Sequence, residues 1–163
     1  MEMFNPIQTL LPTFIKRIAN EYEAMHFYRN ASNWCNDAGY VKAAAFFANE
    51  AVSEAEHSVK VQEFLDDWGC RYTLPAINTV FTCNSLPEII REAYSKYEVP
   101  LYKAYAADAE KAMGVDMSAF AFLQGMVAIQ TESVAEYRTF IDRLNLINES
   151  NKLDVFLYEQ NTF

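Results

Sequence analysis

The sequence predicts an all-α protein: a four-helix bundle with one long crossover and a short fifth helix at the C-terminus. Three observations lead there. Only four Gly and five Pro occur in 163 residues that are 52% hydrophobic, and most of them fall between long periodic segments. Apolar residues in those segments recur at steps of three and four, the period of a helix with one buried face. Two of the connections are short and one is long, which is the pattern of two antiparallel hairpins joined by a crossover. The length fits one domain spanning residues 1–163, with the bundle over about 9–147 and the fifth helix over about 152–161.

The first helix is expected from Thr9 to about Asp37, on Leu11, Phe14, Ile15, Ile18, Tyr22, Met25 and Tyr28. Thr9 is its expected cap, and Pro12 is tolerated in a first turn whose N–H groups have no intrahelical acceptor. Gly39 breaks the chain, and a second helix runs from about Tyr40 to Trp68, closed by Gly69. The stretch from Cys70 to Ser85 has no helical period and carries Pro75, Asn78 and Asn84. It can reach roughly 53 Å at ~3.3 Å per residue, enough to return along helices about 42 Å long.

Ser85 then caps a third helix, with Pro87 in the first turn and Glu88 three residues after the cap, continuing to Met113 before Gly114. Pro100 lies inside it and should bend it or induce a bulge. The fourth helix covers about Asp116 to Leu146. After a polar hinge at Asn148 to Asn151 comes the amphipathic stretch KLDVFLYEQ.

Composition narrows the function classes. A net charge of −9 argues against nucleic acid and anionic membrane, which attract basic surfaces, and favours cations. Cys35, Cys70 and Cys83 form no CxxC pair and are odd in number, as suits reduced thiols in the cytoplasm. Met1 to Pro12 lacks the basic start and apolar run of a signal peptide, and no window approaches the length of a membrane span.

Counting outward from the turns places a polar residue of each helix at one height. Glu21 and Glu54 lie about 16 and 15 residues from the first turn, and Glu98 and Gln130 the same distances from the second. Glu54 and His57, three apart, share a helix face. Carboxylates in an apolar bundle need a partner, and no Lys or Arg occurs at the matching levels. A divalent metal satisfies them, and an oxygen-rich site with one imidazole suits iron or manganese better than structural zinc. An ExxH pair alone is also common on exposed helices.

These residues resemble the ferritin family, bacterial-type and non-haem. NEYEAMHFY is similar to the first-helix pattern with Glu21 and Tyr28, and SEAEH to the second-helix motif with Glu54 and His57. YEVPLY supplies Glu98 and FLQGMVAIQTE supplies Gln130, while LPAINTV and LDVFLYEQ look like the crossover and terminal segments.

The resemblance implies a ferritin-like bundle and a ferroxidase centre for two Fe²⁺ ions bridged by Glu54. Glu21 and His57 complete one site, and Glu98, with help from Gln130, completes the other. Tyr28 is expected to hydrogen-bond a ligand and to donate an electron, its other reading being an ordinary buried aromatic. Dioxygen or peroxide takes the electrons, and the ferric product is stored as a mineral in a hollow shell of 24 copies whose fourfold pores the fifth helix lines. A frayed tail is the other reading of that segment.

Departures from the family pattern also matter. QTES stands where a haem-binding relative has a second Glu-x-x-His, and Ala55 where it has the haem Met, so no haem is expected. Ser53, Ile129 and Ser133 occupy positions of a third iron site, leaving Glu132, with Glu50 one turn before Glu54, as additional metal candidates. His26, about 140° round the helix from Glu21, is left outside the site. The rival functions are a di-iron or di-manganese redox enzyme without mineral storage, and a metal-free helical assembly protein.

Overall fold

The computed structural model describes residues 1–163. A 3₁₀ turn, Gln8–Leu10, leads into α1 (Leu11–Ala38), which a two-residue break connects to α2 (Val41–Asp67). The third rod is built from α3 (Leu86–Glu92), a π-helical turn (Ala93–Glu98) and α4 (Val99–Met113). Then follow α5 (Met117–Leu144) and α6 (Lys152–Thr162). The segment 70–84 between α2 and α3 carries no regular structure, as its composition predicts. No helix is long and apolar enough to cross a membrane.

Local chemistry explains most boundaries. Gly39 and Gly69 take the left-handed conformation, with φ of 87° and 64°, that ends α1 and α2 at little steric cost. The Ser85 hydroxyl accepts from Glu88 N–H, and Asp116 from Ala119 N–H, capping α3 and α5. Glu88 reaches back one residue further than a simple capping box, accepting from Asn84 N–H. Thr9 is not a cap: the 3₁₀ turn absorbs it, and the residue preceding α1 is Leu10, with no side-chain cap bond.

α2 also lacks a cap of its own. The buried Glu159 of α6 supplies one, its Oε1 accepting from the N–H groups of Lys42 at 2.8 Å and Ala43 at 3.0 Å. Tyr158 donates to Phe140 O, and Phe163 packs on Phe46, Phe47 and Phe140. α6 is thus docked on the bundle rather than frayed.

The bulge expected from Pro100 is the π turn. Val99 N–H donates to Tyr94 O, five residues back, and the turn inserts its extra residue just before a proline that has no N–H for the α register.

α1 packs along α2, and α4 along α5, as two antiparallel hairpins. Their apolar interior falls into two clusters. One, around Phe27, Tyr28, Phe47, Ile90, Tyr137 and Phe140, fills the end where α1 turns into α2. The other, around Phe14, Ile18, Val61, Leu65, Tyr105 and Leu123, fills the opposite end. Glu21, Glu54, Glu98 and Gln130 occupy the helix positions between them and are all buried.

Candidate metal centre

The polar layer read from residue counts exists, and each rod delivers one member to it. Glu21 comes from the middle of α1, Glu54 and His57 from α2, Glu98 from the end of the π turn, and Gln130 from α5. Glu54 and His57 meet because a three-residue step keeps them on one helix face. His57 Nδ1 lies 3.5 Å from Glu54 Oε2 and 3.8 Å from Glu21 Oε2. These three atoms are buried and have no hydrogen-bond partner in the protein. Orphaned polar atoms in a bundle core are costly unless something absent from the chain engages them.

Donor atoms of Glu21, Glu54 and His57 lie within 4.8 Å of one another, and so do those of Glu50, Glu54 and Glu98. Glu54 belongs to both groups. Each group could therefore hold a cation, and a donor set of oxygens with, in the first group, one imidazole fits iron or manganese.

The remaining contacts fix the carboxylates. Tyr28 Oη donates to Glu98 Oε1, while Gln130 Nε2 donates to Glu98 Oε2 and, at 3.3 Å, to the Glu98 carbonyl. Gln130 thus turns its amide donor toward Glu98. Tyr137 Oη donates to Glu50 Oε2 at 3.4 Å. Two of the contacting tyrosines, Tyr105 and Tyr137, were not singled out from the sequence. Tyr105 Oη donates to Glu21 Oε1. The legible signal was a repeated spacing: Tyr105 follows Glu98 by seven residues, as Tyr28 follows Glu21.

Electrostatics agree with an uncompensated acidic centre. Burial, then the adjacent Glu21 carboxylate, pushes the Glu54 carboxyl well above the usual carboxylate range. Burial lifts Glu98 to about 7 against the opposing hydrogen bond from Tyr28. Glu50 is also raised to about 7, by burial and by Glu136 and Glu98. Arg17, one turn before Glu21 on α1, is taken by Asp108 at 2.6 Å.

A cleft of about 590 Å³ reaches this layer, lined by Glu50, Glu54, His57, Glu132 and Glu136 among others. Glu132 is exposed on its wall, outside both donor groups. Glu50, half-buried, lines the same cleft and lies in the second donor group. His26 is exposed on the outer face, as expected of a residue outside the site.

Four buried polar side chains, one per rod, crossing an apolar one-crossover bundle define the class: a helical-bundle protein with a carboxylate-rich candidate metal centre at mid-height. The model of the ferritin-like domain family matches residues 15–147, and the chain belongs to the ferritin family. A bacterial non-heme ferritin of Escherichia coli is 33% identical over 130 residues, covering 77% of this chain and 76% of that protein. A probable bacterial non-heme ferritin-like protein of Haemophilus influenzae is 28% identical over 133 residues, covering 81% of each chain. In fold, the chain is similar to an open pore ferritin of the hyperthermophilic archaeon Archaeoglobus fulgidus, with a TM-score of 0.87 and 22% identity over 95% of this chain and 96% of that one.

Proposed function

We propose that this protein is an iron-storage ferritin with ferroxidase activity, working in the cytoplasm and binding neither nucleic acid nor membrane. The observation that carries the reading is the convergence of Glu21 Oε2, Glu54 Oε2 and His57 Nδ1, buried and unpartnered, on one point. Relatives named bacterial non-heme ferritins support it. Ferrous ions are the substrate: two of them each give one electron to dioxygen or peroxide, and the ferric product is stored as mineral.

The residues divide the work. Glu21 and His57 bind one ion, Glu98 the other, and Glu54 bridges them because it alone belongs to both donor groups. Glu50, in the donor group with Glu54 and Glu98, and Glu132 on the cleft wall are additional carboxylates that would take an ion on its way in or out. Gln130 and Tyr28 hold Glu98 from opposite oxygens, so little reorganisation is left when an ion arrives. Tyr28, whose hydroxyl donates to Glu98, would supply an electron in this reading. With Ala55 where a haem-binding relative has its haem Met, no haem is expected beside the iron.

The chain would assemble into a hollow shell of 24 copies. A groove of about 840 Å³ between α1 and α2, lined by Met25, Ala51, Val52, Ala55 and Val59 among others, leaves apolar surface for a second copy to cover. Anaerobic addition of Fe²⁺ followed by air tests the function. Storage predicts large particles that retain hundreds of irons each. Retention of about two per chain would instead establish the di-iron redox enzyme, and no uptake at all the metal-free assembly protein.

A further inference from the structure

Tyr28 has a counterpart across the bundle. The hydrogen-bonded or ion-paired residues Arg17 and Asp108, Glu21 and Tyr105, and Tyr28 and Glu98 run in opposite numerical order along α1 and the third rod, so the two are antiparallel. On each, a tyrosine follows a glutamate by seven residues, two helical turns. Tyr28, from the Glu21 helix, donates to Glu98. Tyr105, from the Glu98 helix, donates to Glu21. The pattern is a local two-fold exchange: each helix supplies one carboxylate and the hydroxyl that holds the other.

The two oxygens of Glu21 are thereby made unequal. Oε1 accepts from the wholly buried Tyr105, while Oε2 has no partner and faces His57 at 3.8 Å. A carboxylate free to rotate could present both oxygens to an ion; with Oε1 engaged, only Oε2 is aimed at it. One turn further along, Arg17 and Asp108 join the same two helices at 2.6 Å and keep Tyr105 in register with Glu21. A phenylalanine would pack as well in this apolar neighbourhood, so the hydroxyl has a task that packing does not require.

We infer that Tyr105 is a positioning residue for the ion held by Glu21 and His57, fixing Glu21 as a one-oxygen ligand as Tyr28 and Gln130 fix Glu98. This rests on the ferroxidase reading above. Its test is anaerobic calorimetric titration of the assembled protein with Fe²⁺, repeated with Co²⁺ to follow the visible ligand-field spectrum. Tyr105→Phe should weaken one of the two ions by about tenfold or more, the size usual for loss of a residue that orients a ligand, and leave the other within about twofold. Tyr28→Phe should weaken the opposite ion. Combined with His57→Ala, which removes the same ion's imidazole, Tyr105→Phe should have less than its separate effect.

Equal weakening of both ions, unchanged constants, or full additivity with His57→Ala would overturn the inference. Tyr105→Met, which fills the space flexibly without a hydroxyl, must repeat the result. If neither variant assembles, the hydroxyl serves the fold and the inference fails. A wild-type protein that binds no ferrous ion would defeat the ferroxidase reading itself, whereas wild-type binding with an indifferent Tyr105→Phe defeats only this step.

Discussion

His57 Nδ1 stands 3.5 Å from Glu54 Oε2, and neither atom has a hydrogen-bond partner. Two polar groups three residues apart on one helix face, both buried and both unanswered, are what a bound cation would satisfy under the proposed function. Because Glu54 also belongs to the group formed with Glu50 and Glu98, losing it should disturb both ions together.

Glu54→Ala should therefore abolish rapid iron oxidation, by about 100-fold or more if the bridging carboxylate contributes several kcal/mol, while assembly persists. The metal-free variant should lose little stability, because the deletion also removes a carboxyl whose charged form burial disfavours. Stopped-flow oxidation and particle mass measure the two effects, and wild-type oxidation kinetics in this variant would reject the bridging role.

His57→Ala reaches only one donor group. Anaerobic ferrous binding should fall from about two ions per chain toward one at low free iron, with the weakened ion losing about 10- to 100-fold in affinity. Retention of both ions at wild-type affinity would contradict the division of ligands.

Metal-free stability should fall as pH rises from about 4.5 to above 7. Glu50 and Glu98 have folded-state values raised to about 7 from the ordinary 4.5, so the folded chain binds more protons than the unfolded one across that window. Their contribution is fully present below 4.5 and is lost as pH passes 7. A divalent ion replaces those protons, so the gap in Tm between metal-loaded and metal-free protein should widen with pH. Calorimetry at pH 5 and 8 checks the sign; a gap that narrows would show the carboxyls are not what the ion engages.

Glu159→Ala should cost about 1 kcal/mol, the usual effect of losing a helix cap, or about 2–4 °C in Tm for a chain of this length. It should also speed hydrogen exchange at the Lys42 and Ala43 amides, whose acceptor it is. Unchanged exchange there would mean that α6 does not hold the start of α2 in solution.

The helices, their turns at Gly39, Gly69 and Gly114, and the height of Glu21, Glu54, Glu98 and Gln130 were all legible in the sequence. Periodicity and a constant rise per residue are properties of a single helix, so counting along one chain locates them. The Ser85 cap and the disturbance at Pro100 were legible for the same reason: both are events within one turn of backbone. Thr9 misled because a 3₁₀ turn can occupy the same residues as a helix start, and the choice depends on what Leu10 packs against.

Only the tertiary structure decided which atoms face one another. That Tyr105 reaches Glu21 across 84 residues, that Glu159 caps a helix begun more than a hundred residues earlier, and that Gln130 offers Glu98 a donor depend on how helices rotate and approach. Those rotations are set by the packing of two apolar clusters as a whole, a sum of many weak contacts that no local pattern of residues encodes. The chain alone specified the chemistry available at mid-height; packing chose the partners.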